Sequence, residues 1–133
     1  MIRASAPGKL ILFGDHAVVY GEPGIATAIN KRAYSTACEL DGKKIVVESK
    51  DTGETTECGI REKSKNPIIA AVQEAQKFSK SRSGIGIEIN TQSPIGAGLG
   101  SSADVATATI ASVATLLTGK EPTTMEIAEM AYK

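Results

Sequence analysis

Tryptophan is absent from this 133-residue sequence, and two phenylalanines and three tyrosines are its only other aromatic residues apart from one histidine. A core must therefore be aliphatic, drawn from Ile, Val, Leu and Ala within an ordinary apolar share of 41%. Histidine occurs once, at His16, and cysteine twice, at Cys38 and Cys58. That inventory lacks the four closely spaced ligands of a structural zinc site. The cysteines read as two reduced thiols of a cytoplasmic protein. Charge of one sign is also lacking: 15 basic residues balance 15 acidic ones. This excludes general nucleic-acid binding, which needs a basic surplus, although it leaves room for a local basic patch. No apolar run approaches the roughly 20 residues of a membrane span. No signal-peptide pattern precedes residues 1–6, which already read as the start of a strand. The length predicts one domain over residues 1–133.

Residues 2–13 read as a strand broken by Pro7-Gly8, and Gly21-Glu22-Pro23-Gly24 is a turn. Residues 25–30 and 33–40 alternate and are rich in β-branched side chains, as strands are. Asp41-Gly42 predicts a hairpin turn, with residues 44–49 returning as the partner strand. A further strand is expected near residues 55–60. Asn66-Pro67 opens a helix, Asn as N-cap and Pro in the first turn. Its apolar stripe is Ile68, Ile69, Val72, Ala75 and Phe78 or Gln76, and it ends near Ser79. Ile85, Ile87 and Ile89 alternate with Gly86 and Glu88, a period-two strand. A helix over residues 101–117 carries Ala103, Ala106, Ile110, Val113 and Leu117 at helical spacing, with Gly119 as its stop. Thr123 and Glu126 form a capping box for one more helix, still running at Lys133.

Between the period-two strand and that long helix lies Ser93-Pro94-Ile95-Gly96-Ala97-Gly98-Leu99-Gly100-Ser101-Ser102-Ala103. Glycines allow a close backbone approach to a bulky anion. The helix N-terminus adds unpaired N–H groups and the positive end of a dipole. Either Ser101 or Ser102 could cap the helix or ligate Mg²⁺ beside a phosphate. The loop lacks the lysine of a Walker A motif and the glycine spacing of a dinucleotide fingerprint. Three glycines and two serines within residues 96–102 would be costly for a mere connecting turn. Phosphate binding is the favoured reading over that turn.

A second constellation runs Ala6-Pro7-Gly8-Lys9-Leu10-Ile11-Leu12-Phe13-Gly14-Asp15-His16-Ala17-Val18-Val19-Tyr20-Gly21. Taken singly, Lys9 reads as a lysine on an exposed strand face, and Asp15-His16 as a polar turn. Together the two segments resemble the GHMP kinases. Pro94 to Ala103 matches the family's Pro-x-Gly-x-Gly-Leu-Gly-Ser-Ser-Ala motif. Pro-Gly-Lys followed by a Gly-acid-His-Ala-Val-Val-Tyr-Gly segment is the form found in its mevalonate-phosphorylating branch; galactokinases carry Thr-Asp where this chain has Ala17-Val18. Asn30 and Arg32 also fit. The resemblance covers essentially the whole chain, least specifically in the middle.

The resemblance implies an α+β fold like ribosomal protein S5, a mostly antiparallel sheet covered by helices on one face. It implies ATP-dependent phosphorylation of the mevalonate hydroxyl, with ATP and Mg²⁺ as cofactors. A sister activity on phosphomevalonate or homoserine, or a non-catalytic nucleotide-binding module, are the alternatives. Lys9 would be catalytic, near the transferred phosphoryl group. Asp15 and His16 would hold mevalonate. Pro94, Gly96, Ala97, Gly98, Leu99, Gly100, Ser101 and Ser102 would wrap the ATP phosphates, and Ser102 would ligate the metal. No nucleic acid or membrane partner is implied, and a homodimer of the longer protein is compatible. Two residues depart from the pattern: Asp15 replaces the usual Glu, and Asp104 stands where a small residue is common. The Asp104 carboxylate is expected to face away from ATP. None of Asp15, Asp41, Asp51 or Asp104 matches the family's catalytic Asp, which follows the segment matched here. The chain is therefore expected to be an N-terminal portion, inactive alone, with an apolar face left exposed for the domain that would follow.

Overall fold

A computed structural model describes residues 1–92 and 101–132; the side chains of residues 101 and 102 fall outside the description. The chain order is β1 (Ile2–Phe13), a 3₁₀ turn (Ala17–Tyr20), β2 (Ile25–Leu40), β3 (Lys44–Ser49), β4 (Thr55–Gly59), α1 (Pro67–Ser79), β5 (Gly84–Thr91), α2 (Ser101–Thr118) and α3 (Thr124–Tyr132). The five strands form one sheet in the order β1-β2-β5-β3-β4. Every neighbouring pair is antiparallel except β3 and β5. The α+β, mostly antiparallel expectation holds.

Three local expectations are corrected. Pro7-Gly8 does not break β1; the strand continues and its register with β2 shifts between Pro7 and Lys9. Pro7 sits on an edge strand, where a missing N–H need not cost a ladder bond. Residues 25–40 form one strand, because both flanks of its second half are paired: Ala33 faces Ala6 on one side and Thr91 on the other. Residues 44–49 are not the hairpin partner of β2. β5 inserts between them, pairing antiparallel to β2 and parallel to β3. Gly42 does take the positive φ expected of the turn, at 95°. The turn bends around the start of β5, where Gly84 N–H donates to Gly42 O at 3.1 Å. A Cβ on Gly84 would come within 2.8 Å of Leu40 O and 3.0 Å of Gly42 O, so the insertion requires glycine there.

The helices cover one face of the sheet. Ala33, Ala37, Ile45, Val47, Ile85, Ile87 and Ile89 meet Ile69 and Val72 of α1, Ile110 and Val113 of α2, and Met130 of α3 in one aliphatic core. Asn66 caps α1 as expected, its Oδ1 accepting from Ile68 N–H at 2.9 Å. Gln76 rather than Phe78 completes the buried stripe of α1; Phe78 is exposed. Ala103 is exposed, and α2 turns Asp104, Val105, Ala108, Thr109 and Ser112 inward instead. A buried hydroxyl pair, Ser35 and Ser112 at 3.0 Å, ties the middle of β2 to α2. Gly119 ends α2, its N–H donating to Thr115 O at 2.9 Å. The capping box forms: Thr123 N–H donates to the Glu126 carboxylate at 2.8 Å and Glu126 N–H to Thr123 Oγ1 at 3.3 Å. Among the described residues no helix is long and apolar enough to cross a membrane, and both cysteines are free thiols.

Candidate functional site

The Gly-rich segment follows β5 in the sequence, and two clamps fix the end of that strand. Thr91 N–H and Oγ1 both donate to Asp51 Oδ2, at 2.8 and 3.0 Å. Gln92 then reaches across to β2: its N–H donates to Arg32 O at 2.9 Å, and Arg32 N–H donates to Gln92 Oε1 at 3.1 Å. The Arg32 side chain continues the line to β1, its Nε donating to Ser5 Oγ at 3.0 Å and an Nη to Ser5 O at 3.1 Å. Arg32 faces Pro7 in the β1–β2 register. The stem of the Gly-rich segment therefore stands two strand spacings, about 10 Å, from the Pro7-Gly8-Lys9 stretch. Pro94, Gly96, Ala97, Gly98, Leu99 and Gly100 lie outside the described residues, as do the side chains of Ser101 and Ser102.

Lys9 lies on β1 opposite Ala28, with its side chain exposed. Beyond it, β1 and the first half of β2 continue as a two-stranded arm. At the arm's tip, Gly14 leads into Asp15, His16 and the 3₁₀ turn. Gly14 has φ of 85°, and a Cβ on it would stand 2.8 Å from Gly24 Cα and from Pro23 O. Its carbonyl accepts from Val18 N–H at 3.0 Å. Glycine is thus required to fold the tip, and it carries Asp15 and His16 exposed on the turn. Six residue steps separate Lys9 from Asp15, at most about 20 Å. Among the described residues no hydrogen bond or ion pair joins Lys9, Asp15 and His16. The structure brings Lys9 near the stem and sets Asp15 and His16 farther along the same arm.

The arm is unusually apolar on its surface. Leu10, Leu12, Phe13, Val18, Val19, Tyr20 and Ile25 are all exposed, Phe13 by 71% and Tyr20 by 84%. This apolar surface lies on the segments that bear Lys9, Asp15 and His16.

At the other side of the Gly-rich segment, Asp104 occupies the first turn of α2. Its side chain is buried, with 4% of the residue exposed. Oδ1 accepts from Val105 N–H at 2.8 Å, while Oδ2 has no partner among the described residues. Burial pushes its carboxyl above the usual carboxylate range, against the pull of backbone N–H groups. The carboxylate faces the protein interior.

The sequence reading missed Asp51 and Gln92 as clamps. Only their positions, at the ends of strands, hint at the role; the pairing itself is set by sheet order.

A family profile described as "GHMP kinases N terminal domain" matches residues 66–133. Two curated relatives are mevalonate kinases of Pyrococcus horikoshii and Pyrococcus furiosus. They are 40% and 42% identical to this chain, each over 99% of it, and over 43% and 44% of their own lengths. The chain thus spans less than half the length of these relatives. The crystal structure of Methanococcus jannaschii mevalonate kinase superposes with a TM-score of 0.84 at 30% identity, covering 98% of this chain and 44% of that one.

Proposed function

The chain belongs to the GHMP kinases, and on that premise we propose that the protein carrying it transfers the γ-phosphoryl group of ATP to the hydroxyl of mevalonate, giving 5-phosphomevalonate. The observation that carries the reading is the shared level of two motifs on one sheet. The Arg32–Gln92 clamp starts the Gly-rich segment about two strands from Lys9.

Phosphoryl transfer asks a protein for positioning and charge neutralisation rather than covalent chemistry. In this reading Gly96, Ala97, Gly98, Leu99, Gly100 and Ser101 hold the ATP phosphates against the start of α2, with Pro94 setting the entry. Lys9 supplies the positive charge that the loop itself lacks. Mg²⁺ takes oxygen ligands, keeps waters, and is held by one or two protein groups together with phosphates. A single hydroxyl, Ser102, suits that demand, and the metal would neutralise charge between the phosphates. Asp15 and His16 offer an acceptor and a donor to a substrate that carries both hydroxyl and carboxylate groups. The exposed apolar arm supports a further domain packing over Lys9 and the tip, bringing the catalytic Asp and excluding water. Free thiols and zero net charge support a cytoplasmic small-molecule enzyme without a nucleic-acid partner.

The test is ADP release in a coupled assay on the full-length protein, with mevalonate as acceptor. Lys9→Met should lower kcat by about 10²–10³, the cost of removing one preorganised charge donor. The 133-residue chain alone should bind an ATP analogue without turnover. Release of ADP with phosphomevalonate or homoserine but not mevalonate would assign a sister kinase instead.

A further inference from the structure

A groove of about 600 Å³ lies between the segment after β4 and the C-terminal end of α1. It adjoins a smaller hollow of about 310 Å³ that shares Arg61 and Arg82 and adds Lys43. The two together gather six cationic side chains: Lys43, Arg61, Lys63, Lys77, Lys80 and Arg82. Two carboxylates accompany them, Glu62 and Glu74. Glu62 turns its Oε2 to Gly59 N–H at 3.1 Å, and Glu74 pairs with Lys77. Among the described residues Lys43, Arg61, Lys63, Lys80 and Arg82 have no acidic partner. Repulsion among five unpaired cations is a cost that a solvated surface of a net-neutral chain has no need to bear.

The walls are fixed from beneath. Gln73 Nε2 donates to Glu62 O at 2.8 Å and holds the segment after β4. Gln76, itself buried, donates from Nε2 to Ser83 O at 2.8 Å and holds the connection into β5. Lys80 adds an independent sign. It occupies the left-handed position that ends α1, with φ of 53°, alone among the described non-glycine residues in having positive φ. Ser81 N–H donates to Gln76 O at 3.0 Å and Lys80 N–H to Lys77 O at 3.2 Å, a Schellman stop. Glycine is the usual residue there because a side chain is strained. A lysine at that site keeps a charge at the groove's rim at the expense of backbone comfort.

We propose that this groove binds a compact, multiply charged anion of the oligophosphate class. It stands at the Gly84 end of β5, seven residue steps or about 23 Å from the Thr91 end, which the Gly-rich segment follows in sequence. It is therefore distinct from the ATP site proposed above and does not rest on that reading. The cations line two adjoining hollows that share Arg61 and Arg82 and are not strung along a stripe, which fits a small anion better than an extended nucleic acid.

The test is calorimetric titration of the full-length protein with inorganic triphosphate at low salt. Lys63→Gln with Arg82→Gln should weaken binding about tenfold, and Lys80→Gly about two- to fivefold. Lys80→Gly is also the folding control, since glycine adopts that turn freely and the melting temperature should not fall. Raising salt from about 0.05 M to about 0.2 M should weaken binding further. Lys9→Met should leave unchanged the component of triphosphate binding that the groove variants weaken. Absence of binding, or binding that Lys9→Met removes and the groove variants do not, overturns the proposal. So does an RNA oligonucleotide that displaces triphosphate at lower concentration than ATP or diphosphate.

Discussion

Replacing Asp104 by alanine should stabilise the protein at neutral pH. The carboxylate is buried on the first turn of α2, and one of its oxygens has no hydrogen-bond partner among the described residues. An unsatisfied buried acceptor costs about 1–3 kcal/mol. Two smaller effects oppose the gain. The helix N-terminus favours a negative charge by about 0.3–1 kcal/mol, and truncation leaves a small void. Alanine is also the stronger helix former by a few tenths of a kcal/mol. The balance is a gain of about 1 kcal/mol at pH 7, or a rise of roughly 4 °C in melting temperature. The pH dependence gives the sign a second check. Burial holds the Asp104 carboxyl above its ordinary value of 3.8, so the folded chain binds that proton more tightly than the unfolded one. Below 3.8 both states are protonated and the charge costs nothing. As pH rises through the raised value, the folded state must bury a charge and loses stability. The advantage of Asp104→Ala should therefore be small near pH 4 and grow toward pH 7. Asp104→Asn, which keeps the shape and removes the charge, should abolish the same pH slope. Urea unfolding followed by circular dichroism across this range reads all three proteins. A variant less stable than the parent at pH 7, or an advantage independent of pH, refutes the reasoning.

Ser112→Ala strands the Ser35 hydroxyl in the core and should cost about 1–2 kcal/mol, while the double variant Ser35→Ala, Ser112→Ala should recover much of it, as urea midpoints will show. The Glu126 carboxyl is held below its ordinary value by Thr123 N–H and hydroxyl donors. The contribution of the capping box to α3 is therefore present above pH 4.5 and is lost as pH falls through the lowered value, measurable as loss of amide protection in α3 and absent in Glu126→Ala.

Local chemistry was legible wherever it acts within a few residues. Asn66 capping, the Thr123–Glu126 box, the Gly119 stop and the alternation of Ile85, Ile87 and Ile89 all appear as read. Each rests on side chains or backbone groups close in sequence. What the sequence did not reveal is pairing at a distance. Asp41-Gly42 is a hairpin signal, yet the strands it joins are separated by one that arrives over forty residues later. Pro7-Gly8 reads as a break, yet edge placement, a property of sheet order, makes it only a register shift. The inward face of α2 was misjudged for a related reason: Asp104, Thr109 and Ser112 are polar, and periodicity in apolar residues passes over them. Of the candidate site, Lys9, Asp15 and His16 were named from sequence motifs, while the Asp51 and Gln92 clamps required the fold.

The insertion of β5 between β2 and β3 connects these observations. At its Gly84 end, it draws the backbone of residues 40–44 around a glycine and sets the connection from α1 against the segment after β4. That is where the basic groove forms. At its Thr91 end, it brings Gln92 beside Arg32 and, through β2, level with Pro7. Were residues 44–49 paired with β2 as a simple hairpin, β5 would lie beyond β3 or at an outer edge. Gln92 would then be at least one further strand, about 5 Å, from β1, and the Arg32 clamp would be out of reach. Lys9 and the Gly-rich segment would keep their sequences and lose their common level. On the proposed reading, the common level of Lys9 and the end of β5 thus depends on one non-local strand pairing, and Gly84, far from either motif, is held to glycine by that geometry.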